Sequence, residues 1–193
     1  MKAILIDTTS QNLCLVLVDG EKTFFSEHEV GKSGHSKVLM PYLDELLMSA
    51  NVKVDELDTV GVVVGPGSFT GIRIGVATAT ALAFSLNAKR IAITSFELLA
   101  YSRKKASLAV DAGHGNLYVA ECENGKVVST DFIDGDAAKT VNRKKFEFEP
   151  AKKYSASDVL ALVAKEKAEK GEYVNVFEPY YMRKSQAERE KGL

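Results

Sequence analysis

A chain of 193 residues, 46% of them apolar, can bury about 70% of its unfolded surface, enough to hold a packed core unaided. With 8% aromatic and 26% charged residues, the composition is that of an ordinary globular protein of one domain or two small lobes, which excludes intrinsic disorder. The formal net charge of −1 hides only a mild asymmetry: residues 1–138 carry 12 basic and 17 acidic side chains, and residues 139–193 carry 13 and 9.

From Met1-Lys2 the chain enters a short apolar run that ends at Asp7, a layout unlike a secretory leader. Residues 3–6, 13–18 and 23–30 are apolar or alternating runs split by turn residues, with Asp19-Gly20 a hairpin dipeptide. Three strands are therefore expected in succession without a crossover helix. Between 35 and 50 the period changes, and Leu39, Leu43, Leu46, Leu47 and Ala50 share one helical face. Pro41 should then lie in or near the first turn, where a missing N–H is harmless. Residues 60–64 read as a buried strand, Gly65-Pro66-Gly67 as a turn, 70–86 as a long apolar helix and 91–93 as another strand, giving the order βββαβαβ. Pro66 and Arg73 divide the most apolar region, 60–86, leaving 13 uncharged residues after the arginine, too few to span a bilayer.

The second half begins like the first. The segment LAVDAGHGNLYVAECENGKV from Leu108 can be laid over ILIDTTSQNLCLVLVDGEKT from Ile4, so that Asp7 falls on Asp111, Asn12 on Asn116 and Leu13 on Leu117, and Asp19-Gly20 meets Asn124-Gly125 after one inserted residue. Past Ile133 the repeat departs: a charged segment runs to Lys153, and a helix over 158–170 ends at Gly171, with Ser155 and Asp158 as its capping box. The expected division is an N-terminal lobe over 1–103 and a shortened C-terminal lobe over 104–193. The densest basic stretch, 139–153, contains Arg143, Lys144 and Lys145 but is interrupted by Glu147 and Glu149, so it reads as a solvated loop rather than a nucleic-acid field. Cys14 and Cys122 both sit in strand-like runs without metal spacing, which suggests buried free thiols and a cytoplasmic setting.

The sharpest motif is GPGSFTGIRIG, residues 65–75, between a strand and a helix. Glycines there permit a tight turn, and the amides of a helix N-terminus can meet an anion. Neither common phosphate motif fits: a P-loop needs Gly-Lys-Ser/Thr, and Thr70 stands where a dinucleotide fingerprint wants its third glycine. Inside the helix Gly71, Gly75, Ala79 and Ala83 recur every four residues as a small-residue ridge, which lets another backbone approach. Each glycine costs the helix about 1 kcal/mol relative to alanine, so something must compensate. That compensation is expected to be a partner subunit at the ridge, with the opposite apolar face on the chain's own sheet. Arg73 in the first turn opposes the helix dipole and suggests a partner carboxylate or phosphate. Asp7-Thr8-Thr9 and Asp111-Ala112-Gly113 resemble the paired phosphate turns of sugar kinases and actin-like ATPases, although Thr9 replaces the glycine of the first. His28, His35 and His114 have no metal-ligand spacing, and no G-x-S-x-G elbow is present.

Together ILIDTTS, HSKVLMPYLDELL, LDTVGVVVGPGSFTGIRIGVATATALA, TSFELLA and EPYYMRKSQAE resemble the TsaB (YeaZ-like) family over residues 4–118 and 178–188. The resemblance implies an α/β, actin-like fold of two ribonuclease-H-like lobes, the second abbreviated. It implies a non-catalytic scaffold for TsaD, joined by the ATPase TsaE, in threonylcarbamoyl transfer to the adenosine beside the tRNA anticodon. The HxxxH metal motif of TsaD is absent from this sequence. The implied interface takes in His35, Gly71, Arg73, Gly75, Ala79 and Ala83, with homodimerisation when TsaD is missing and tRNA met only through the complex. No cofactor is expected of the chain itself, with ATP or ADP held at the TsaD interface; Asp7, Thr8 and Asp111 would be vestigial phosphate contacts. Two alternatives stay open, an ATP-dependent enzyme of the sugar-kinase superfamily and a glycoprotease-like metallopeptidase.

Overall fold

Strands whose side chains alternate between two apolar faces need a layer on each side, and that requirement organises the molecule. The computed structural model describes residues 1–30 and 34–182. β1 (Lys2–Asp7), β2 (Asn12–Asp19) and β3 (Lys22–Glu29) form an antiparallel meander. β4 (Thr59–Gly65) adds to β1 in parallel, and β5 (Lys89–Thr94) adds to β4, giving the order β3-β2-β1-β4-β5. α1 (His35–Ala50) and α2 (Phe69–Ser85) share a core with Ile4, Ile6, Leu13, Leu15 and Leu17 on one face. On the other face, Ala3, Leu5, Val16, Ile91 and Ile93 meet Val159, Leu160 and Val163 of α5 (Ala156–Glu169). Burying each leucine, isoleucine or valine among them is worth about 1.5–3 kcal/mol.

A second sheet repeats the first. β6 (Lys105–Asp111), β7 (Leu117–Glu123) and β8 (Lys126–Ile133) form a second meander, and the short β9 (Phe146–Glu147) pairs with β6 in parallel, in the order β8-β7-β6-β9. The second meander is irregular in β8: pairing passes from Glu121 with Ser129 to Cys122 with Val127, which bulges Val128 out of the ladder. α3 (Ser95–Ala100) packs Phe96, Leu99 and Ala100 on Leu108, Ala120 and Cys122. Beyond β8 only α4 (Gly135–Thr140) and a 3-10 turn at Arg143–Lys145 precede β9, so the repeat is indeed abbreviated. Cys14 and Cys122 are free and buried. Among the described residues no helix is long and apolar enough to cross a membrane.

Two expectations need correction. The division at 104 holds for β6 but not for the chain beyond β9: α5 returns to cover the bare face of the first sheet, so residues 104–193 are not one lobe. Glu27 of β3 accepts the Ser157 amide at the head of α5 (3.1 Å), and Lys167 of α5 reaches Glu97 of α3 (2.6 Å), fixing the helix at both ends. Pro41 lies inside α1, in its second turn. The bond it forfeits would have gone to the Lys37 carbonyl, and both residues lie on the exposed face, where water can serve that carbonyl.

Candidate functional site

The loop between β4 and α2 is where the sequence concentrates its glycines, and its interior is filled by the chain itself. The Thr9 carbonyl accepts the Ser68 amide (2.7 Å), and the Thr8 hydroxyl donates to the Gly71 carbonyl (2.7 Å). A Cβ at Gly67 or Gly71 would strike the Thr9 or Thr8 carbonyl, and one at Gly75 would strike Thr8 Oγ1. Ser95 Oγ closes the back of the loop by donating to the Pro66 carbonyl (2.7 Å), while Ser68 caps α2 by accepting the Gly71 amide (3.2 Å). Gly65 serves a different contact. A shift in register between Val63 and Gly65 frees the Val64 carbonyl, which accepts the Tyr180 amide (2.8 Å), and a Cβ at Gly65 would lie 2.9 Å from the Tyr180 carbonyl. The motif therefore packs a turn on one side and a C-terminal segment on the other.

Asp7 and Asp111 head equivalent turns, as the repeat predicts. Asp7 Oδ1 accepts the amide (2.8 Å) and hydroxyl (2.7 Å) of Thr9, and Asp111 Oδ1 accepts the Gly113 amide (2.7 Å). Thr8 is fully buried with its hydroxyl committed, so in this arrangement it offers no polar atom to a phosphate. Burial pushes the Asp7 carboxyl above its ordinary value, against the opposing effects of the Thr9 bonds and the nearby His35. His35, at the start of α1, is half-buried with Nε2 3.4 Å from the Asn12 carbonyl of β2. Among the described residues no cluster of three His, Cys, Asp or Glu side chains could hold a metal ion.

The ridge of Gly71, Gly75, Ala79 and Ala83 faces inward, contrary to expectation. All four are buried against the first sheet and the Thr8 turn, and the backbone whose close approach the glycines permit belongs to this chain. The opposite side of α2 is the open one: Arg73, Ala77, Thr80, Ala81 and Phe84 are exposed, Phe84 by 81%. These four apolar or neutral positions after Arg73 form one wall of a shallow groove whose other wall is Arg90 and residues 175–177. Phe177 anchors that segment in the core, and Val176 beside it is 63% exposed. Arg73 stacks on Phe69 (3.9 Å to the ring centre) and donates from Nε to the Tyr181 hydroxyl (3.1 Å), leaving the far edge of its guanidinium to solvent. Helical periodicity shows that α2 has two apolar faces. Phe84, a large aromatic residue on the same helix face as Ala77, Thr80 and Ala81, was the signal that could have told the outer face from the inner.

Two related sheets, a duplicated Asp turn and a glycine loop filled from within define a two-lobed protein with one helix face left open among the described residues. Residues 28–158 match the family model described as TsaD, tRNA N6-adenosine threonylcarbamoyltransferase. The chain belongs to that family, and curated proteins that it resembles are named TsaB. Similar curated proteins include the tRNA threonylcarbamoyladenosine biosynthesis protein TsaB of Buchnera aphidicola subsp. Schizaphis graminum, 34% identical over 61% of this chain and 59% of that one. Another is TsaB of Bacillus subtilis, 35% identical over 61% of this chain and 53% of that one. The chain thus spans little more than half the length of these relatives. Two structures from Pseudomonas aeruginosa share the fold. One is described as an uncharacterized protein with similarity to peptidase YeaZ (TM-score 0.78, 20% identity, 94% of this chain and 99% of that one). The other is YeaZ (TM-score 0.72, 19% identity, 90% and 94%). The fold is the expected α/β pair of related units, the second abbreviated. Of the motifs that carried the family resemblance, residues 183–188 lie outside the described residues.

Proposed function

We propose that this chain is a non-catalytic, cytoplasmic subunit that pairs with a TsaD-type transferase, with TsaE joining them, for threonylcarbamoyl transfer to the adenosine beside the tRNA anticodon. The observation that carries the reading is the outer face of α2. Ala77, Thr80, Ala81 and Phe84 are exposed in a row next to Val176, and a large aromatic residue 81% open to water is costly unless another surface covers it. Small residues around one protruding ring suit a helix of the partner, which can approach closely over the alanines and receive Phe84 in a pocket of its own. Without TsaD the same face pairs two copies of this chain. The glycine loop, filled by Thr8 and Thr9, supports a chain that holds no nucleotide alone, and ATP or ADP then belongs at the junction with TsaD, near the Asp7 and Asp111 turns.

The pairing is tested by co-purifying the chain with TsaD from the same organism. Phe84→Asp puts a charge at the centre of the face and leaves the core untouched, so the variant should keep its melting temperature and lose co-elution with TsaD in gel filtration. A Phe84→Asp protein that still co-elutes with TsaD at wild-type stoichiometry contradicts the assignment of this face.

A further inference from the structure

We infer that the end of the second sheet where β6 and β9 begin is a contact surface for the phosphodiester backbone of tRNA, a proposal that rests on the protein's acting in a tRNA-modifying assembly. Two short cationic runs far apart in the chain lead into these strands: Arg103, Lys104 and Lys105 into β6, and Arg143, Lys144 and Lys145 into β9. Ser107 of β6 pairs in parallel with Phe146 of β9, so the residues just before each strand come to lie side by side at the same sheet end. Lys126 opens β8 at that end too, because β6 and β8 both run antiparallel to β7 and Glu123 pairs with both Lys105 and Lys126. The fold thus assembles a cationic edge that neither run makes alone.

Two of the acids beside this edge, Glu147 and Glu123, are already engaged. Glu147 Oε2 is held by Arg103 Nη2 (3.1 Å), whose guanidinium also donates to the Leu99 and Glu149 carbonyls and is largely buried in doing so. Glu123 is taken by Lys105 (3.5 Å). Lys104, Lys144 and Lys145 are exposed and make no ion pair among the described residues, and Arg143 lies 5.0 Å from the centre of the Phe148 ring, a cation beside an aromatic face. The chemistry favours RNA over an acidic protein. The surface is lysine-rich with no apolar centre, whereas protein interfaces are depleted in lysine and built around buried aromatic anchors. Mobile point charges strung along an edge match a run of phosphates, which need neutralising rather than shape-matching.

The test is fluorescence anisotropy with an unmodified tRNA transcript, run on the chain alone and on its complex with TsaD across a salt series. Lys144→Glu/Lys145→Glu is compared with Lys22→Glu/Lys53→Glu, which makes the same change in net charge in the first lobe. The β9 pair should weaken tRNA binding tenfold or more near 0.1 M salt and reduce the slope of log K against log salt by about 2, near one unit for each phosphate released. The first-lobe pair should change either quantity far less. Equal affinity and slope in wild type and Lys144→Glu/Lys145→Glu overturns the inference, as does an equal loss in the first-lobe pair. Polyglutamate of matched charge competing as well as tRNA overturns the RNA assignment in favour of an acidic protein. A chain that never pairs with TsaD sinks the proposed function, while the comparison on the chain alone still decides this surface.

Discussion

Ala79 and Asp7 show how single residues report on the two faces of α2 and on its turn. Ala79 is fully closed off between α2 and the sheet, so Ala79→Arg buries an unpaired cation, at a cost of several kcal/mol out of a typical total of about 5–15. The variant should lose its cooperative thermal transition in circular dichroism; a folded Ala79→Arg protein that merely fails to pair would put the ridge back on the partner side. Asp7 is tested by pH. Its carboxyl is held above the ordinary value of 3.8 chiefly by burial, so the folded state binds the proton more tightly than the unfolded state does. Stability from this group is complete below the ordinary value and is lost as pH rises through the raised one. Asp7→Asn keeps an acceptor for the Thr9 amide and removes the titration. Melting temperatures across that interval should therefore fall less steeply with pH in Asp7→Asn than in wild type, and an identical slope in both proteins would show that Asp7 does not set it.

Among the elements, those with strong periodicity and turn chemistry were legible in the sequence: the meander, α1, β4, α2, β5 and α5 all form within a few residues of their expected limits. The elements that escaped were short. α3 and α4 span six residues each and β9 only two, too few for a 3.6- or 2-residue period to register. The facing of α2 also escaped, for a different reason. Glycines at 71 and 75 state that a backbone comes close, but not whose; here it is the Thr8-Thr9 turn, distant from α2 in sequence and brought there by the parallel pairing of β1 and β4. Likewise Arg73 meets no carboxylate among the described residues; Tyr181 arrives beside it once Tyr180 has taken the carbonyl that the β4 irregularity releases. The candidate site was thus visible as a motif, while its inward and outward sides were decided by contacts between segments that no local pattern records.

At the scale of the whole molecule, duplication explains both what is present and what is borrowed. Each meander builds a sheet with an Asp turn at its head, but only the first half carries two long helices, and α5 from the end of the chain completes its second layer. The result is one well-covered lobe that presents an apolar helix face and a smaller lobe that presents a cationic edge. The most direct measurement is reconstituted threonylcarbamoylation of a tRNA transcript with TsaD and TsaE from the same organism and threonylcarbamoyl adenylate supplied. Omitting this chain, or replacing it by Phe84→Asp, should reduce the modified adenosine to background, and the chain incubated alone with tRNA and the adenylate should yield none. Full modification in its absence, or modification by the chain alone, would contradict the account.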